Sequence, residues 1–293
     1  METGRVVVEK VGRKSTVARC FSKYPLKFII PTKVGSSKID AVWIYTLTYG
    51  GGIVSGDSIR CELVIGDGCT TVLTTQASTK VYKSLDSKCS EQLLEVKVGS
   101  DALLAALPDP VTCFSTARYS QKQVFKVLSD SNLVVVDWIT SGRHESGEKW
   151  DFELYKSINR IFLDEQPLFL DTVLLEQGSI TSITERMQDY QVSAMIILMG
   201  PRLRQIQIQI QENVKRMMSE QLRAHFTGLS GHAKLKSDHC FIKPPFIASS
   251  SSFGPKGIGV VVRIAAVTTE SVYRFLKEQL LGLEALIGVP PYT

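Results

Sequence analysis

Three of the four histidines, His225, His232 and His239, stand seven residues apart, and Cys240 adds a thiol beside the last. Imidazole and thiolate suit borderline divalent metals such as Ni²⁺ and Zn²⁺, so these four are the candidate metal ligands. Gly228, Gly231 and Pro244 interrupt any continuous helix through them, so equal spacing does not align the side chains. A polar surface loop is the plain reading. The fourth histidine, His144, lies in SGRHESGE, and the chain has no G-x-S-x-G elbow for a nucleophile. A metal-dependent hydrolase using His144 or the 225–239 histidines is the enzymatic alternative to a non-catalytic protein.

Glycines crowd TYGGGIVSGD at 48–57, where a phosphate cradle comes first to mind. Gly51 and Gly56 have the P-loop separation, but Asp57 stands where a lysine must meet phosphate. The dinucleotide fingerprint fails too, because Ser55 takes its third glycine position. The segment reads as a tight turn presenting a carboxylate. Beyond it come Thr74, Thr75, Gln76, Ser78, Thr79, Lys80 and Tyr82, a polar cluster within strand-like sequence. Asp137 continues the apolar run 133–136, and Arg143 follows six residues later. A carboxylate at a partly buried strand end must be paired or hydrated, which leaves a structural salt bridge and a polar internal lining both open. SSSSFGPKGIG at 249–259 reads as a flexible loop around Lys256.

Short β-branched and aromatic runs dominate the first two thirds and predict strands at the rhythm of antiparallel β architecture. Runs 58–65 and 69–75, joined at Gly66-Asp67-Gly68, predict a hairpin. The continuous apolar run 192–199 predicts a fully buried strand. Helical spacing appears late. Leu203, Ile206, Ile210, Val214 and Met217 predict one helix, although IQIQI at 206–210 also alternates with period two. Thr268, then Val272, Phe275, Leu276, Leu280, Leu283 and Ile287, stopped by Gly288, predict the second. No internal repeat at a fixed period is visible, and the expectation is one mainly β domain over 1–293.

The 34 Lys and Arg residues are dispersed, and a net charge of +5 indicates neither a nucleic-acid tail nor a polybasic membrane patch. METGRVVVEK has no apolar signal core, and the longest apolar run, 194–200, is too short to span a bilayer. Six cysteines without a C-x-x-C pair read as reduced thiols. The expectation is a soluble, cytoplasmic chain.

Four segments carry a family likeness: YGGGIVSGD (49–57), TTQASTKVYKS (74–84), LPDPVTCFSTARY (107–119) and DWITSGRHESGE (137–148). In this order the chain resembles the urease accessory protein UreD, called UreH in some bacteria, and GIGVVVRIAAVTTESVYRFLKEQL looks like that family's ending. The likeness is weakest before residue 40 and across 180–250. It implies a β-helix-like fold of many short strands with two α-helices in the C-terminal third. It further implies a non-enzymatic maturation factor that joins UreF and the GTPase UreG on apo-urease. Such a factor passes Ni²⁺ through an internal polar tunnel and keeps no tightly bound cofactor. On the matching motifs, Asp57, Gln76, Lys80, Tyr82, Asp137 and Arg143 become the tunnel or metal-relay candidates. Thr75 is also a motif position, and Gly51, Gly52, Gly56, Pro108 and Arg118 are the structural ones. Ser55 and Lys83 depart from a glycine and an arginine common in the family. Either late helix is expected to offer an apolar stripe to UreF.

Overall fold

Strand pairing decides the architecture. The computed structural model describes residues 2–32, 39–228 and 244–292, except for the side chains of 224–228. The chain runs through β1 (Gly4–Val11), β2 (Lys14–Ser22), β3 (Leu26–Ile29) and β4 (Val42–Thr48) into β5 (Ser58–Ile65) and β6 (Thr70–Thr75). There follow β7 (Thr79–Val81), β8 (Ser90–Val98), β9 (Leu103–Leu107), β10 (Val111–Cys113), β11 (Arg118–Val127), β12 (Asn132–Thr140) and β13 (Leu154–Leu163). The last part comprises β14 (Gln166–Glu176), α1 (Ile183–Met187), β15 (Val192–Met199) and α2 (Arg204–Gly228). It ends with β16 (Phe246–Phe253), β17 (Gly259–Ala266), α3 (Thr269–Gln279) and α4 (Glu284–Ile287).

From β4 to β13 the long strands alternate between two sheets, so the chain coils as a β-solenoid of about four turns. One sheet stacks β1, β5, β8, β11 and β13 in parallel, with β2 and β14 antiparallel at its edges. The other stacks β4, β6, β9 and β12 in parallel, flanked by β3 at one end and by β15, β17 and β16 at the other, all antiparallel. The mainly β fold with C-terminal helices is therefore as the family likeness implied. The antiparallel rhythm is not. Antiparallel pairing is confined to the sheet ends.

The Gly66-Asp67-Gly68 hairpin is also corrected, because β5 and β6 lie in different sheets and the segment is a corner of the coil. Asp67 Oδ1 accepts from the backbone N of Ser100 at 2.8 Å, tying this corner to the next one. Ser100 Oγ in turn donates to Asp130 Oδ2 at 2.6 Å. Corners at 66–68, 99–101 and 130–132 thus stack, a structural repeat that the varied side chains hide. The 249–259 segment is no loop either. Its serines form edge strand β16, and Gly254 (φ +74°) and Gly257 (φ +65°) turn the chain into β17.

Two hydrophobic cores share the second sheet. One fills the space between the sheets, and the other lies between the second sheet's outer face and the helices. All nine residues of β12 are buried, as a strand covered on both faces requires, and β15 is covered in the same way. In α2 the helical period wins over the Ile-Gln alternation, and Ile206, Ile210 and Val214 are buried against the sheet. The stripe of α3 is buried likewise through Val272, Phe275 and Leu276, so both helices use these residues in the fold, while Met218 and Leu222 towards the end of α2 stay exposed. The expected second helix breaks after Gln279 into a 3₁₀ turn, Leu281–Leu283, before α4. The Ile287 carbonyl at the end of α4 accepts from Trp43 Nε1 at 3.1 Å, pinning the C-terminus to β4.

Candidate functional site

Side chains alternate along β12, and Leu133, Val135 and Ile139 belong to the inner core while Val134, Val136 and Trp138 belong to the helix-facing core. Asp137 therefore points inward, a carboxylate at a position where its neighbours on the same face are apolar. From the opposite sheet, β11 presents Gln121 between Tyr119 and Phe125, and β13 presents Ser157 and Asn159 between Tyr155 and Ile161. Parallel register aligns Gln121 with Ser157 and Gln123 with Asn159.

These groups close on the carboxylate. Gln121 Nε2 donates to Asp137 Oδ1 at 2.7 Å, while Ser157 Oγ (2.5 Å) and Asn159 Nδ2 (2.6 Å) donate to Oδ2. Gln123 Nε2 donates to Asn159 Oδ1 at 3.0 Å and so holds that amide in orientation. Burial pushes the Asp137 carboxyl above the usual carboxylate range, the three donors oppose the shift, and nearby Asp171 adds to it. Burial also raises the phenols of Tyr119 and Tyr155 far above their ordinary value; Tyr119 Oη donates to Gln92 Oε1 at 3.0 Å, and Tyr155 Oη accepts from Gln121 Nε2 at 3.3 Å.

Two cavities border the Asp137 carboxylate. The larger, about 210 Å³, runs from Gly51, Thr75 and Gln76 past Asp109 and Gln121 to Asp137, and has room for several waters. The smaller, about 70 Å³, is lined by Asp137, Tyr155, Asp171, Ser193, Met195 and Arg263. Asp137 and its neighbour Trp138 are common to both. Carboxylate, amide and hydroxyl oxygens bind a divalent ion without the grip of a closed thiolate–imidazole cage.

The expected site residues divide accordingly. Gly51, Thr75, Gln76, Pro108 and Asp137 line the larger cavity; Gln76 sits exposed at its margin and Asp137 is buried. Asp57 lines neither cavity, and its Oδ2 accepts from the backbone N of Val54 at 2.9 Å, closing its own turn. Lys80 and Tyr82 lie on the neighbouring loop, where the Lys80 carbonyl accepts from Ile53 N at 2.8 Å and Tyr82 Oη donates to the Gly50 carbonyl at 2.9 Å. Gly51 and Gly56 hold positive φ, +76° and +80°, in the same clasp. The Pro108 carbonyl accepts from both Trp138 Nε1 (2.9 Å) and Tyr292 Oη (3.1 Å). Arg143 is ion-paired with Glu148 and lies 4.0 Å over the Phe114 ring. Arg118 begins β11, half-buried.

His144 is exposed, with its Nε2 3.3 Å from Ser141 Oγ. The His225 side chain, His232, His239 and Cys240 lie outside the described residues. Among the described residues no group of three or more His, Cys, Asp or Glu gathers as metal ligands. Gln121, Ser157, Asn159, Asp171 and Arg263 were not singled out from sequence. Their signal was polar residues two apart, in phase with inward-facing aromatics, and it becomes readable once the strand's inward face is known.

Coil and seam together define a β-solenoid protein that gathers its polar groups inside the coil. The UreD urease accessory protein family model matches residues 2–293. The chain is 66% identical to "Urease accessory protein D" of Arabidopsis thaliana over the full length of both. It is 60% identical to the Oryza sativa subsp. indica protein of the same name, over 99% of this chain and 95% of the relative. A bacterial relative, "Urease accessory protein UreD" of Sorangium cellulosum, is 32% identical over 99% of this chain and 83% of its own length. The chain belongs to the UreD family of urease accessory proteins.

Proposed function

We propose that this chain is a non-catalytic urease maturation factor that helps deliver Ni²⁺ to apo-urease, in company with UreF and UreG. The ion is cargo rather than a resident cofactor, and its route runs along the larger cavity to Asp137 and on into the smaller one. One observation carries this reading: a single buried carboxylate borders both cavities. Oxygen donors that bind a borderline cation weakly suit transit, because a relay must release what it binds. Relatives named as urease accessory proteins support the maturation role. The work is assigned to the cytoplasm, and no helix among the described residues is long and apolar enough to cross a membrane.

The test is maturation of apo-urease by complexes holding wild-type or Asp137→Asn protein. The expected result is intact co-purification with UreF and UreG, with nickel content and urease activity reduced together. Equal nickel content in the two ureases would overturn the route. Replacing His144, His225, His232 and His239 together by alanine separates the hydrolase alternative, which predicts complete loss where the relay at Asp137 predicts retained activation.

A further inference from the structure

The smaller cavity is bounded by two successive contacts between the sheets. On the second sheet, Asp137 pairs in register with Met195, and Met195 with Arg263, so the three share the inward face of β12, β15 and β17. On the first sheet, Asn159 pairs with Asp171 across β13 and β14. Asn159 reaches across to Asp137, and Arg263 reaches across to Asp171, with Nη2 to Oδ1 at 2.6 Å. The inner contact is the seam that the proposed nickel route passes. The outer contact stands beyond it, at the last strands of the coil.

The two partners of the outer contact differ in exposure. The Asp171 side chain keeps 11% of its surface in solvent, whereas that of Arg263 keeps 50%. A nearly buried carboxylate needs a counter-ion, because removing its partner leaves an uncompensated charge. The guanidinium has open solvent to move into, and its charge is satisfied there. An arriving divalent cation and Arg263 are like charges competing for the same carboxylate. Either can neutralise Asp171; both cannot occupy it.

We infer that the Arg263–Asp171 ion pair is a latch on the outer end of the smaller cavity, which opens when the guanidinium swings into solvent and a divalent cation takes its place beside Asp171. The inference rests on the proposed nickel route and adds a control point to it. The latch keeps small cations out of the coil from this end and makes release depend on exchange of one positive group for another. No covalent bond is made or broken.

Met195 lies between the two contacts and provides the readout. The full chain is labelled with [¹³C]methyl methionine, the Met195 resonance is assigned with Met195→Leu, and Mn²⁺ is added as a paramagnetic probe. Arg263→Gln is expected to broaden the Met195 methyl at about tenfold lower Mn²⁺ than wild type, the scale on which neighbouring groups tune metal sites. Arg263→Lys keeps a cation at the contact and is expected to stay within a small factor of wild type. An unmoved resonance of buried Met199 reports that the core is retained. Should Arg263→Gln disturb it, Arg263→Leu, which also removes the cation while keeping an apolar stem against the sheet and the Asp171 carboxylate intact, carries the same expectation. Broadening of Met195 at the same Mn²⁺ concentration in wild type and variant overturns the latch and leaves the route standing. No Met195 broadening in any variant overturns the route, and the latch with it.

Discussion

Gln121 and Asp137 sit on opposite sheets of the coil, yet Gln121 Nε2 lies 2.7 Å from Asp137 Oδ1 in the buried interior. Together with the bonds from Ser157 and Asn159 it crosses between sheets that meet mainly through apolar side chains. A hydrogen bond to a charged group contributes about 1.5–3 kcal/mol, so Gln121→Ala is expected to cost about 2 kcal/mol in chemical denaturation at neutral pH. Gln121→Glu places a second carboxylate beside the first and should cost more. An unchanged midpoint for Gln121→Ala would show that the amide does not support Asp137.

The raised Asp137 carboxyl gives a pH signature with a definite sign. Burial lifts its folded pKa above the unfolded value, so the native state holds this proton more tightly than the unfolded chain does. Stability from this group is greatest below the unfolded pKa, about 4 for Asp, and falls as pH rises through the elevated folded value. Asp137→Asn removes the fall. Denaturation midpoints across that window should show the variant gaining on wild type as pH rises. Parallel curves would refute the shift.

Arg143 and Glu148, a buried carboxylate under a half-exposed guanidinium, give the opposite sign. The hydrogen bond from Arg143 holds the Glu148 carboxyl below its usual range, so the stabilisation is present above the unfolded pKa and lost as pH falls through the folded one. Glu148→Gln should therefore lower the thermal midpoint at pH 7 and matter progressively less on acidification below about pH 4.5. A deficit that persists undiminished at low pH would assign the loss to packing instead.

Gly52 is required for space rather than for φ. A Cβ there would lie 2.8 Å from the Lys80 carbonyl oxygen and 3.0 Å from the Tyr82 ring, and backbone on a neighbouring loop yields little. Gly52→Ala is expected to destabilise by about 1–3 kcal/mol, the usual range for overpacking. Adding Tyr82→Ala, which removes the ring, should not rescue it, because the Lys80 carbonyl contact remains. Additive thermal shifts are the expected result, and recovery in the double variant would place the strain on the ring.

How much was legible can be judged from particular residues. The apolar run 192–199 announced β15, and Thr268 and Gly288 marked the ends of the C-terminal helical segment, because caps and buried runs are local signals. Gly66-Asp67-Gly68 announced a turn but not which strands it would leave in contact. Turn chemistry is the same for a hairpin and a solenoid corner, and only the distant partner, Ser100, distinguishes them. The coil was reached through family likeness alone. Asp137 stood out because a carboxylate interrupts an apolar run. Its neighbours Gln121, Ser157 and Asn159 did not, because polar residues in alternating strands usually face solvent, and here the inward phase was set by tertiary pairing. Gly52, Asp57 and Tyr82 were recognised as a motif before their role in one clasp could be seen.

By sequence Asp57 and Asp137 are equal relay candidates, and the structure supplies the means to part them. Asp57 spends one carboxylate oxygen on Val54 N within its own turn and borders neither cavity, whereas Asp137 borders both. Asp57→Asn retains an acceptor for Val54 N, so it should leave stability and urease maturation near wild type. Asp57→Ala removes that acceptor and should cost about 1 kcal/mol, the scale of one partly exposed turn bond, with nickel delivery falling only as far as folded protein does. Asp137→Asn should instead fold well and still deliver less nickel per complex. The discriminating measurement is nickel in urease normalised to co-purified complex. Equal normalised losses for Asp57→Asn and Asp137→Asn would extend the relay to the clasp, while loss confined to Asp137 places it at the seam between the cavities.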